Sequence, residues 1–67
     1  MKKVSRKQAE RLVKKYPDAL EVGDVAAIIK HVPKTVLKIL AAGELPYIMI
    51  GRKYYIAKEN LVEWMSE

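Results

Sequence analysis

Apolar residues recur at helical spacing near the start of the chain, where Ala9, Leu12, Val13 and Tyr16 fall at helical intervals. Ser5 and Gln8 stand three apart just ahead of them, the spacing of a capping box. Pro17 disfavours a helical Tyr16, so this first helix is predicted to end near Lys15. Asp18 and Ala19 read as a short connector, and Leu20 and Val22 lead into a second helix over residues 22–29. Val25, Ile28 and Ile29 form its inward face, with Ala26 beside them small enough for close helix approach. After a link of Lys30, His31 and Val32, Pro33 suits the first position of a third helix reaching Ala42, with Val36, Ile39 and Leu40 inward. Gly43 supplies a left-handed stop and Pro46 prevents resumption.

The pattern then changes. Tyr47-Ile48-Met49-Ile50 and Tyr54-Tyr55-Ile56 are β-rich runs on either side of Gly51-Arg52-Lys53. They predict a hairpin with Ile48, Ile50, Tyr54 and Ile56 on its buried face. Residues 58–66 return to helical spacing, with Leu61, Trp64 and Met65 inward. The predicted fold class is therefore mainly α with a small β-hairpin, a compact winged helix-turn-helix. Residues 19–67 form the expected domain proper, and residues 1–18 a basic helix or arm.

Sixty-seven residues suffice for one domain, and 51% hydrophobic content argues for a packed core. Without cysteine, neither a disulfide framework nor a thiolate metal site is available. The longest apolar runs, such as residues 25–29, fall far short of the roughly 20 residues of a membrane span. The charged start shows no signal-peptide pattern, so a cytoplasmic location is expected.

Thirteen Lys and Arg against eight Asp and Glu give a net charge of +5, unevenly spread. Residues 1–15 hold Lys2, Lys3, Arg6, Lys7, Arg11, Lys14 and Lys15 against Glu10 alone. Taken by itself, that opening suits a solvated helix, a nucleic-acid arm or a binder of acidic lipids. The later bases discriminate. Lys34 and Lys38 stand four apart on the third helix, Arg52 and Lys53 lie at the hairpin tip, and Lys30 lies in the link. Only Lys58 falls elsewhere, and the acids avoid these elements except for Glu44. Such a fold presents those same elements to DNA.

Leu20-x-Val22, Val25-Ala26, Ile28-Ile29, Thr35-Val36 and Gly43-Glu44-Leu45-Pro46 continue through Ile48-x-Ile50-Gly51-Arg52-Lys53-Tyr54-x-Ile56, Glu59-Asn60-Leu61 and Trp64-Met65. Over Leu20 to Met65, without a gap, the chain resembles the excisionase-type DNA-binding domains, relatives of the MerR amino-terminal domain. The resemblance implies a recognition helix in the major groove and a wing near the minor groove. Many stand-alone members of this length are recombination directionality factors of prophages and integrative conjugative elements. They bend attachment-site DNA and favour integrase-mediated excision, while others regulate transcription. The implied partners are double-stranded DNA of an attachment-site arm and a tyrosine or serine integrase. A monomer in solution that assembles cooperatively, head to tail, on the DNA of a bacterial nucleoid is expected.

The chain departs from that pattern where relatives carry a glycine in the link and a Ser or Thr followed by Arg at the start of recognition. Lys30, Val32 and Pro33 stand in those places. The missing arginine removes one bidentate contact to guanine, and Val32 is a poor N-cap. The first eighteen residues have no counterpart in the family.

The candidate DNA contacts are Lys34, Thr35, Leu37 and Lys38 on the recognition helix, Lys30 in the link, and Arg52, Lys53 and Tyr55 on the wing. The lysines suit phosphates or guanine edges. Thr35 suits either DNA or a cap on its own helix. Leu37 suits a thymine methyl, a neighbouring protomer or packing against the wing. A basic wing tip can enter a minor groove. Tyr54 and Trp64 read as core, whereas Tyr47 and Tyr55 belong on the outer hairpin face. His31 has no second ligand at metal-binding spacing and reads as a solvent-facing link residue. No acid–base pair, nucleophile triad or phosphate loop is visible, so neither an enzyme, a cofactor nor a metal is implied. The alternatives are a small transcriptional regulator, or an adaptor whose basic first helix docks on an acidic protein.

Overall fold

The computed structural model describes residues 3–66, so Lys2 of the expected basic arm lies outside the described residues. Ser5 opens α1 (Arg6–Val13), its Oγ accepting the Gln8 N–H at 3.2 Å and satisfying an orphan donor of the first turn. The helix closes two residues before the expected Lys15, and the Tyr16 N–H returns to the Val13 carbonyl at 2.9 Å. Ala9 and Val13 are buried where α1 packs on α4 (Lys58–Met65). Arg6 bonds to Glu59 across the two helices, and the Lys58 Nζ donates to the Tyr16 carbonyl at 2.8 Å. The Val4 N–H donates to the Met65 carbonyl at 2.9 Å, tying the segment before α1 to the end of α4. The basic opening is thus a helix laid on α4 that adds two side chains to the core.

Ala19 belongs to a strand and not to a connector. β1 (Ala19–Glu21) pairs antiparallel with β3 (Lys53–Ala57), which also pairs with β2 (Ile48–Ile50), giving a sheet of order β1-β3-β2. Leu20 lies opposite Ile56, and both are fully buried. Three residues with a single buried side chain offer no alternation to read, which is why β1 is missing from the sequence expectation.

The α2 helix (Val22–Ile29) occupies its predicted span, with Val25, Ala26 and Ile28 buried. The Asp24 carboxylate accepts the Glu21 N–H at 3.1 Å and fixes the entry from β1. Lys30 then adopts φ 60, ψ 43, and the His31 N–H returns to the Ala26 carbonyl at 3.0 Å. Pro33 opens α3 (Pro33–Ala41), with Val36 and Leu40 buried and Ile39 half-buried. Gly43 stops it at φ 76, and its N–H and that of Glu44 return to Leu40 and Ile39, the paired bonds of a Schellman cap. Leu45, just beyond, is a core residue that helical spacing does not reveal.

The hairpin corrects one expectation. Gly51 takes φ 63 in a two-residue turn with glycine first, which pairs Ile50 with Lys53 and Ile48 with Tyr55. Directly opposed residues point to the same face, so Ile48 and Ile50 side with Lys53 and Tyr55, not with Tyr54 and Ile56. They are 62% and 61% exposed on the outer face. Tyr47, just before β2, is exposed, and its ring centroid lies 5.2 Å from that of Tyr54. In α4, Leu61 and Met65 are buried and Trp64 is half-buried. Val62 is buried as well, because α4 packs against both β3 and α1 and needs a wider apolar face than one neighbour would require.

Candidate nucleic-acid interface

Successive α-helical residues turn by about 100°, so Lys34, Leu37, Lys38 and Ala41 share one arc of α3. All four are exposed, while Val36 and Leu40 hold the opposite side to the core. Thr35 lies at the border and is half-buried. It does not cap the helix: the N-cap is Val32, whose side chain makes no capping bond and is 62% exposed. Two lysines one turn apart, flanking an exposed leucine, give this face both cationic and apolar character.

The hairpin tip lies beside that face. Leu37, Arg52, Lys53 and Tyr54 line one shallow cleft with Glu21, Val22 and Gly23. Packing near the wing is therefore the environment the structure gives Leu37. The Lys53 Nζ stands 3.5 Å from the Glu21 carboxylate, both side chains more than half exposed. A pair of that kind in water contributes little to stability. Arg52 makes no ion pair among the described residues and supplies the exposed charge at the turn. Sequence reasoning missed Glu21 as a neighbour of the wing. The β1–β3 register sets it opposite Tyr55 and on the same face as Lys53, a placement that no local pattern in the sequence marks.

Not every expected residue joins the cleft. Tyr55 is half-buried on the outer sheet face, near Ala19, Pro46, Ile48 and Asn60. Lys30 is exposed at the turn between α2 and α3, beside His31 and the Gln8–Leu12 side of α1. Its positive φ is the backbone state in which glycine is unstrained, a physical reason for glycine at that link position. Of the amino-terminal bases, Lys3, Lys7, Arg11, Lys14 and Lys15 are exposed. Arg6 is committed to α4. Its hydrogen bond to Glu59, then the charge of Glu59, hold its guanidinium above the ordinary value.

Two helices across a three-residue turn, a basic outward face on the second, and a basic hairpin tip beside it define a winged helix-turn-helix. A family model described as a helix-turn-helix domain matches residues 19–67, and the chain belongs to that family. Its members are DNA-binding domains and are typically not enzymes. The match opens at Ala19, the first residue of β1. No curated protein and no solved structure matches the chain significantly. No helix among the described residues is long and apolar enough to cross a membrane.

Proposed function

We propose that the chain is a sequence-specific architectural DNA-binding protein. Specifically, it acts as an excisionase that bends attachment-site DNA so that an integrase excises a mobile element. The observation that carries the DNA-facing part is the shared exposure of Lys34 and Lys38 on one arc of α3, with Arg52 and Lys53 at the adjoining tip. The excision part is supported by the helix-turn-helix family, which includes excisionase-like domains, and by the Gly43-to-Pro46 and Gly51-to-Lys53 resemblance.

In this reading α3 enters the major groove, Lys34 and Lys38 meet guanine edges or phosphates, and Leu37 meets a thymine methyl. Thr35 and Lys30 contact the adjoining backbone, and the tip follows the minor groove. Residues 19–67 are the DNA-binding domain, and residues 1–18 add a basic helix whose exposed cations extend the phosphate contacts. Bending 20–30 base pairs costs on the order of 1–6 kcal/mol, more than one small module readily offsets, so several copies load together. The test is recombination in vitro with a tyrosine or serine integrase and its attachment-site DNA. Excision rises and integration falls when the protein is added. Unchanged excision with altered transcription from a nearby promoter would make the protein a regulator instead.

A further inference from the structure

The three-stranded sheet ends on one side in β2, and no other strand among the described residues pairs with that edge. Tyr47, Ile48, Met49 and Ile50 are 43%, 62%, 53% and 61% exposed, four consecutive apolar residues. A free edge turns unpaired N–H and C=O groups to solvent, and proteins ordinarily blunt it with brevity, lysine, proline, a bulge or a covering element; of these β2, three residues long, has only its brevity. Pro46 stands just before this run, and within it there is neither proline nor charge.

We propose that β2 is the surface through which two copies of this chain pair on DNA, antiparallel and two-fold about Met49. The inference rests on the DNA-binding reading and gives its cooperative neighbours a defined contact. In that register Ile48 of each copy faces Ile50 of the other, and Met49 faces Met49, so the strand is complementary to itself. No charged residue lies between Glu44 and Arg52, so the contact sets no like charges together in a chain of net charge +5. Each Arg52 falls opposite Pro46 of the second copy, six positions from that copy's own Arg52. At ~3.4 Å per residue the two tips are about 20 Å apart, well beyond the Debye length at physiological salt.

A head-to-tail continuation of the sheet would instead seat β2 on β1 of the next copy. That edge is closed, because the Glu21 N–H is already held by Asp24 at 3.1 Å and the chain passes directly into α2. A foreign strand is less suited, since β2 offers no charged side chain by which to select one. So short a strand buries less than the roughly 1,200 Å² of a stable interface. The free protein therefore stays monomeric, and pairing appears when DNA holds two copies at an effective concentration on the order of mM.

The chain has no cysteine, so Met49→Cys introduces a single thiol. Opposed residues of antiparallel strands lie within disulfide reach. The probe is a duplex carrying two inverted copies of a site recovered by selection from random DNA. On it, mild oxidation should convert Met49→Cys to a covalent dimer, while Val32→Cys, also 62% exposed, stays monomeric. The uncharged double variant Ile48→Gln/Ile50→Gln should keep its thermal transition and its single-site affinity while loading of the second copy falls roughly tenfold. Failure of Met49→Cys to crosslink, or unchanged cooperativity in the double variant, overturns the pairing. Loss of single-site affinity in a folded double variant also overturns it, by placing the edge against DNA. Absence of duplex binding by the unaltered protein would instead remove the reading on which the pairing rests.

Discussion

Leu37 of α3 and Arg52 of the hairpin tip line the same cleft, so helix and wing form one continuous face. In the proposed reading the exposed cation at the tip meets a phosphate or the minor groove beside the helix. Arg52→Ala is expected to weaken binding to all duplexes alike and to reduce the salt slope by about 1. Competition against unrelated duplexes checks this. A change in base preference would assign Arg52 to sequence readout.

Lys34 and Lys38 are expected to behave differently. At least one of Lys34→Ala and Lys38→Ala should relax base preference at a defined position, at a cost of about 1–3 kcal/mol in discrimination. A binding-site selection with each variant reads this directly. Equal loss on every sequence would confine both lysines to phosphates.

Lys30 is the one non-glycine residue with positive φ among the described residues. Replacing it with glycine relieves backbone strain, partly offset by glycine's extra freedom when unfolded. Lys30→Gly is expected to gain about 0.5–1 kcal/mol, raising the melting temperature by about 2–8 °C. The same variant should bind DNA more weakly through loss of a cation. Thermal denaturation followed by circular dichroism, with anisotropy on the same sample, measures both signs. A lower melting temperature would contradict the strain argument.

The opening helix combines packing and charge on separate faces. Val13→Ala removes a side chain only 2% exposed and should cost about 1–3 kcal/mol. Lys7→Ala and Arg11→Ala, both at exposed positions, should leave the thermal transition in place and weaken DNA binding. If Val13→Ala melts like the unaltered protein, the helix is dispensable for the fold.

The helices are legible in the sequence because local signals mark them. Val25 and Ile28 declare the inner face of α2, whereas Ile29, expected there too, is only half-buried; Pro33 starts α3, and Gly43 stops it. The hairpin is legible from its glycine turn, but its faces are not. Whether Ile48 sides with Ile56 or with Tyr55 depends on which residues pair across the turn, and a shift of one position inverts the answer. β1 exists through a pairing with β3 that no local pattern encodes. For the same reason the lysines of α3 are readable from their four-residue spacing, whereas Glu21 beside Lys53 is not.

In the proposed reading this chain binds duplex DNA through ionic contacts from α3, the turn and the wing. Fluorescence anisotropy with a labelled duplex across a salt series tests it most directly. Four to six phosphate contacts predict a slope of log Kobs against log salt of roughly −4 to −5. An affinity that barely changes between about 50 and 200 mM salt would contradict the account.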